Sequence, residues 1–293
     1  MTPAPLSLFL RGLRKTQRRL RRNRMHLGRE QILAALQNFG PFQSEVLLVH
    51  SSLSGCGQIH GGARTVTDAL RSWIAPASLA MPTHSYCYGG EDGAPTYFDH
   101  KNTPSIVGAI TDWFWRQPGV ARSLHPTHSL AAAGPLAGDL CEGHERTQTP
   151  CGQGTPYERL AQRKTSVLMF GARLDAYTLF HTAEDAAEVP YLYESRKSIV
   201  SYTDDYGINW QYSLRRHNML FLRRFAEMDS WFEQRALLLR GKLGLGELLY
   251  LPDAGKAHRM LVEELRRNPW LLVEEASRPK TISSEPVNVP APF

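Results

Sequence analysis

Short apolar runs alternate with stretches of helical periodicity along most of the chain. Residues 45–50 (EVLLVH) form an apolar run that ends at hydroxyls and glycines, and residues 63–73 place apolar side chains at helical intervals. Residues 79–82, 129–134 and 166–171 read as further strands. Asn102, Thr103 and Pro104 open a predicted helix reaching Trp115, with Thr103 as N-cap, Pro104 in the first turn, and Ile106, Ile110, Trp113 and Phe114 on its buried face. Residues 178–188 follow a helical pattern that Pro190 ends. Residues 193–216 alternate as β-structure. A long helix is expected over 219–240, burying Phe221, Phe225, Met228 and Phe232, and another over 255–267. This succession predicts one α/β domain over residues 30–276, preceded by an arm (1–29) and followed by a flexible, proline-rich tail (277–293).

Composition changes the picture at the N-terminus. The net charge of +6 over 293 residues is concentrated in the first thirty, where nine Lys/Arg and one acid give +8. The remainder carries 25 basic and 27 acidic side chains and is close to neutral. In the arm, Leu6, Phe9, Leu10, Leu13 and Leu20 recur at roughly helical intervals among arginines. Such a helix can make peripheral contact with an anionic membrane, meet phosphates, or cover part of the domain or an oligomer contact. No stacking platform or zinc-finger spacing points to a specific nucleic acid. No apolar run reaches the length of a membrane span, and at residues 1–10 the apolar stretch precedes the basic one, the reverse of a signal peptide. Four cysteines without a CxxC pair fit reduced thiols and a cytoplasmic location.

Three clusters carry polar side chains at strand ends. His50, Ser51, Ser52 and Leu53 precede Gly55, Gly57, Gly61 and Gly62; such a turn presents backbone amides to an anion, or is simply a tight strand–helix connection. Arg122, Ser123, His125, Thr127, His128 and Ser129 gather an arginine, hydroxyls and two imidazoles, suited to a phosphate or a polar pocket, or to an ordinary polar loop. Asp175, Thr178, His181 and Glu184 follow the strand 166–171. Three-residue spacing puts Thr178, His181 and Glu184 on one helix face, where a carboxylate can orient the imidazole as a general base. The same spacing also suits a plain surface His–Glu contact.

In this order the clusters resemble the aminoglycoside 3-N-acetyltransferase family. The family's HSSL is His50–Leu53, its GGAxTVxxAL is Gly61-Gly62-Ala63-Arg64-Thr65-Val66 with Ala69-Leu70, and its MPT is Met81-Pro82-Thr83. PGxxRSxxPxxSxAAxG runs from Pro118 to Gly134. GxGSPxxxL appears as Gly152-Gln153-Gly154-Thr155-Pro156 with Leu160, and LDTxTLxHxAE runs from Leu174 to Glu184, with Ala176-Tyr177 before the threonine. The resemblance covers residues 30–190 well and the C-terminal third loosely. It implies a three-layer α/β/α sandwich and acyl transfer from acetyl-CoA to a primary amine by direct attack, with no metal. Residues His50, Ser51, Ser52, Leu53, Thr83, Arg122 and Ser123 would bind CoA. His181 would be the base, with Asp175 and Glu184 as its carboxylate partners.

The acceptor side departs from the pattern. Cys151 stands where the family commonly has an aromatic residue and neutral Gln153 where it often has an acid, while residues 84–99 contain only Glu91, Asp92 and Asp99 as acids. A polycation needs acidic walls, so these departures point to an amino sugar or a natural-product or polysaccharide precursor instead of an aminoglycoside. His84, His125, His128, Cys151 and Thr178 are the expected acceptor contacts. Three other readings remain open from the residues. Cys151 activated by His181 would give ping-pong acyl transfer. His84, His125, His128, Cys151 and His181 would be the ligands of a zinc hydrolase. A CoA-binding module would catalyse nothing.

Overall fold

The computed structural model describes residues 26–88 and 97–279. The amphipathic stretch of the arm and most of the proline-rich tail therefore lie outside the described residues. Strand β1 (His26–Leu27) pairs in parallel with β3 (Gln58–Ile59), and the Leu27 side chain is buried. Gly28 then caps helix α1 (Arg29–Gln37).

The centre is a seven-stranded mixed sheet. Its strands are β2 (Val46–Ser51), β4 (Ser78–Pro82), β6 (Ala121–Arg122), β7 (Leu130–Ala133), β8 (Thr165–Phe170), β11 (Leu239–Leu243) and β12 (Gly246–Leu251), in the order β11-β12-β8-β2-β4-β7-β6. The three central strands β8, β2 and β4 are parallel, and antiparallel pairs complete both edges. Alternate residues of β2 face opposite layers. After the single turn α2 (Leu53–Cys56) come α3 (Gly62–Ile74) and α4 (Ala109–Trp115), which with α1 form the layer that covers Leu47 and Val49. Val46 and Leu48 pack on the other side with α5 (Ala137–Cys141), α6 (Pro156–Gln162), α7 (Leu179–Ala186) and, further along the chain, α9 (Ala254–Arg267). A strand buried on both faces needs apolar residues at every position, which is why these segments read as continuous runs. The result is the expected three-layer α/β/α sandwich. A second, three-stranded sheet joins β5 (Tyr97–Asp99) to the hairpin β9 (Tyr193–Thr203) and β10 (Asn209–His217), with Phe98, Val200, Tyr202, Tyr212 and Leu214 in a small core of its own.

Two expectations fail. The helix expected from Thr103 begins only at Ala109, because Thr103 Oγ1 accepts from the Asp99 amide to close a turn and Gly108 adopts φ +134°. Ile106, assigned to the buried face, is 60% exposed. The long helix over 219–240 is broken into a 3₁₀ turn (Phe225–Glu227), the short helix α8 (Asp229–Gln234) and β11. Phe225, Met228 and Phe232 are buried as the spacing required, so the pattern located the core face but not the backbone that presents it.

Candidate active site

The carboxyl ends of the parallel strands converge on one edge, where open α/β sheets bind their ligands. β2 delivers His50 and Ser51, β4 leads into His84, and β8 leads through Gly171 to a 3₁₀ turn (Leu174–Ala176) and then α7. Together they enclose a cavity of about 120 Å³ lined by His50, Ser51, His84, Tyr86, Val107, Thr111, His128, Asp175, Tyr177, Thr178, His181 and Phe225 among others. An open groove of about 1000 Å³ shares Ser51, Val107, Asp175 and Ala176 with it and continues along residues 52–54, 57–59, 106–109 and 171–173.

Thr178 is the N-cap residue of α7, and His181 lies one turn further along. The Glu184 carboxylate is fully buried and bonds His181 Nδ1 through Oε2 at 2.7 Å and Arg223 Nε through Oε1 at 2.9 Å. Burial acts to raise its pKa, but the hydrogen bond and charge of His181 and the charge of Arg223 outweigh it and hold the carboxyl below the usual carboxylate range. A carboxylate can only accept, so Nδ1 carries the ring proton. In the neutral ring the lone pair then sits on Nε2.

The other imidazoles differ. Burial drives His84 and His128 well below the ordinary histidine range, with neighbouring imidazoles adding to the shift, and burial lowers His50 to about 3. His84 bridges the Tyr86 hydroxyl (3.1 Å) and the Tyr157 hydroxyl (2.9 Å). Its ring lies 4.5 Å from that of His128. Tyr86 holds this wall with a left-handed backbone (φ +49°), a strained conformation for a bulky residue. The wall formed by His50, His84 and His128 is thus neutral, and among the described residues Asp175 is the carboxylate that faces the cavity.

Of the expected site residues, the structure brings together His50, Ser51, His84, His128, Asp175, Thr178 and His181 at the cavity and Ser51, Ser52 and Leu53 at the groove. Glu184 stands directly behind His181. Asp175 lines both spaces, but no hydrogen bond joins it to His181 among the described residues.

Thr83, Arg122 and Ser123 line neither space. Thr83 bonds Ser129 Oγ at 3.0 Å. The Arg122 guanidinium stacks on Trp115 and Phe98 and donates to the carbonyls of His100, Thr103 and Thr83 and to Ser129 Oγ, so it knits the sheet edge together. Ser123 bonds His144 and the Leu130 amide. His125 is buried against His144, at 4.3 Å between ring centroids.

Cys151 is fully buried, and burial, with the Asp185 and Glu184 charges, raises its thiol pKa well above the usual value. It is therefore not the thiolate that a ping-pong scheme needs. As for the zinc reading, no group of three or more His, Cys, Asp or Glu among the described residues is arranged to hold a metal ion.

Four residues at or behind the site carried no functional signal in the sequence: Tyr86, Arg223, Phe225 and His217, whose ring lies 4.1 Å from that of His181. The last three come from the third of the chain that the motifs do not reach. Arg173, exposed at the groove, directly precedes the motif that starts at Leu174 but lies outside it.

A model of the aminoglycoside 3-N-acetyltransferase family matches residues 48–263. Aminoglycoside N(3)-acetyltransferase III of Salmonella sp is 34% identical over 174 residues, covering 54% of this chain and 60% of the relative. The chain thus matches less than two thirds of that relative's length. A solved variant of the aminoglycoside acetyltransferase AAC(3)-IVa in complex with apramycin is 27% identical, with a TM-score of 0.70 over 84% of this chain and 95% of the other. AAC-IIIb, solved as a binary complex with CoASH, shares the fold at 23% identity and a TM-score of 0.71, over 83% of this chain and 97% of the other. Among the described residues, no helix is long and apolar enough to cross a membrane.

Proposed function

The chain belongs to the aminoglycoside 3-N-acetyltransferase family, and from that membership we propose that it transfers an acetyl group from acetyl-CoA to a primary amine, with His181 as general base. The observation that carries this reading is the Glu184–His181 hydrogen bond, because it holds Nδ1 and turns Nε2 toward a cavity that shares its wall with the groove. The groove is the place for the donor, with Ser51, Ser52 and Leu53 along one wall and Arg173 available to a phosphate. The acceptor amine enters the cavity.

An ammonium has no lone pair, so it first loses one proton to solvent water. As the nitrogen attacks the thioester carbonyl, its second proton passes to His181 Nε2. The C–N bond forms, the tetrahedral oxyanion is met by backbone amides of the turn at Ser51–Gly57, and the C–S bond breaks. The CoA thiolate leaves and takes up the proton from His181 Nε2, which returns the base to its neutral form. Glu184 stabilises the imidazolium that forms in between.

The acceptor we infer is a small amine of low charge, an amino sugar in preference to a polycationic aminoglycoside. Two features support this. The cavity is small and lined mainly by neutral rings, with Asp175 as its facing carboxylate. The neighbouring polar cleft sets Asp185 and Glu188 against Arg146 and Arg215, and its third carboxylate, Glu184, is already paired with Arg223, so it offers a polycation little net attraction.

The test is acetyl-CoA-dependent CoA release with glucosamine, a nucleotide-linked amino sugar and apramycin, alongside calorimetry of acetyl-CoA binding. Turnover of at least one amine is expected, with a 10²–10⁴-fold loss in His181→Ala and unchanged acetyl-CoA binding. Undiminished turnover in His181→Ala overturns the base, and no turnover of any amine overturns the activity. A higher kcat/KM for apramycin than for either amino sugar overturns the acceptor class.

A further inference from the structure

Behind the base stands a cation that takes no part in the motifs. Arg223 follows β10 in an extended segment that is pinned to the chain at 272–274: the Arg224 amide donates to the Leu272 carbonyl (3.0 Å), the Glu274 amide donates to the Leu222 carbonyl (2.9 Å), and Arg223 bridges Val273. Its Nε donates to Glu184 Oε1, its Nη1 donates to the carbonyls of Asn218 and Phe221, and its guanidinium lies 4.7 Å from the centroid of the Tyr191 ring. The two oxygens of one enclosed carboxylate are thus shared between the catalytic imidazole and a permanent positive charge.

We propose that Arg223 is a positioning residue for the base: it fixes the Glu184 carboxylate in the orientation that His181 requires, and its charge prevents the His181–Glu184 pair from retaining a proton. This inference rests on the reading of His181 as the base. A buried carboxylate with a single imidazole partner would bind a proton strongly, either on the ring or on itself, because unpaired buried charge is costly. A base that stays protonated at the working pH accepts nothing from the amine. With Arg223 in place the carboxylate is already neutralised from its far side, so the imidazole gains less from becoming cationic.

The groups facing the pair leave this role to Arg223. On the His181 side are the His217 ring, the Phe225 ring at 5.3 Å, and His84 and His128 across the cavity; burial holds the three histidines neutral. On the Glu184 side are the Tyr191 phenol, a neutral group whose hydroxyl also favours the ionised carboxylate, and the Cys151 thiol, both held protonated because burial raises their pKa. Of the two further carboxylates, Asp185 accepts from the Tyr193 hydroxyl (2.6 Å) and Asp175 lies at the cavity mouth. Among the described residues, Arg223 is the cation that touches the pair.

The sign of the effect follows. Removing the charge of Arg223 removes a repulsion from the imidazolium and an attraction from the carboxylate, so the pair binds its proton more tightly whichever atom carries it. The acid limb of the kcat/KM profile then moves to higher pH.

The experiment measures kcat/KM against pH and titrates the His181 imidazole by NMR in the full-length protein, for wild type, R223M, R223Q and R223K. In R223M and R223Q, the limb and the titration should both move up by about one unit or more, with kcat reduced and the KM for acetyl-CoA unchanged. R223K should return the limb toward the wild-type position. A wild-type limb and titration in either neutral variant, with circular dichroism and acetyl-CoA binding also as in wild type, overturn the proposal. R223Q keeps a donor at the position and decides the matter if R223M does not fold. Failure here is distinguishable from failure of the base assignment: a neutral variant with a wild-type profile beside an inactive His181→Ala refutes only the role of Arg223, whereas an active His181→Ala refutes the base itself.

Discussion

Cys151 and His181 are both reactive side chains in recognisable motifs, and their surroundings send them in opposite directions. His181 keeps 21% of its side chain exposed and faces the cavity, whereas Cys151 is sealed beneath Gly152, whose α-carbon packs so closely on the Asp185 carboxylate that a Cβ there would lie 1.8 Å from Oδ2. A thiol held protonated by burial is a small apolar filler. Cys151→Ser should therefore retain kcat within about threefold, and mass spectrometry should find no acyl-enzyme in wild type incubated with acetyl-CoA. A 10²-fold loss in a folded variant, or an acetylated Cys151, would restore the ping-pong scheme. The dyad itself was legible because its spacing is local: three residues on a helix suffice to bring His181 to Glu184. Arg223 lies 39 positions beyond Glu184 and meets it only through tertiary folding. Arg122 shows the limit of local spacing: an arginine beside hydroxyls suits a phosphate, yet in the fold its donors are taken by three backbone carbonyls and the Ser129 hydroxyl.

At the level of elements, strands buried on both faces were the most legible part of the chain. β2, β4, β7 and β8 fall within a residue or so of the expected limits, because a continuous apolar run of strand length between turn residues has few alternatives. Residues 219–240 misled for a physical reason. Apolar side chains at spacings of three and four define a buried face, but a 3₁₀ turn followed by a short helix presents the same face, and the sheet claims Leu239–Leu243 for its edge. Tertiary pairing overrode periodicity there.

The connection from β8 to the 3₁₀ turn shows the converse, a backbone constraint visible as one glycine. Gly171 adopts φ +63°, and a Cβ on it would lie 2.7 Å from Cys56 Sγ and 2.8 Å from the Ser52 carbonyl, where the turn after β2 crosses the chain that leads to Asp175. Gly171→Ala should lower the unfolding free energy by about 2–4 kcal/mol, combining the left-handed conformation with overpacking. Because Ser52 and Gly171 both line the groove, acetyl-CoA affinity should fall with it. A variant whose stability in chemical denaturation stays within about 0.5 kcal/mol of wild type would show that the two segments can part freely, contrary to the packing.

For the whole molecule, the consequential feature is the number of histidines that folding removes from water. His50, His84, His125, His128, His144 and His217 are all buried with their pKa values lowered, those of His50 and His144 to about 3, with burial the leading cause in each. This suits the proposed chemistry, since a cavity walled by neutral imidazoles does not repel an incoming ammonium. It also makes the fold sensitive to acid. In the unfolded chain these side chains protonate near pH 6.5, whereas in the folded protein they stay neutral, so the unfolded state binds more protons as the pH falls below that value. Stability is therefore fully present above about pH 7 and declines through the window from about 6.5 toward the depressed folded-state values near 3. Between pH 7.5 and 5.5 each such histidine contributes a loss of about 1.4 kcal/mol, so the six together should remove several kcal/mol. Over the same interval ordinary carboxylates remain ionised in both states and change little. Urea unfolding at the two pH values checks this: the midpoint should drop markedly at pH 5.5 with the m-value unchanged. Equal midpoints would mean that the unfolded chain protonates no more histidines than the folded one. The buried imidazoles would then carry protons in the folded state, and the cavity would confront an ammonium with the positive charge that the proposed acceptor chemistry requires it to lack.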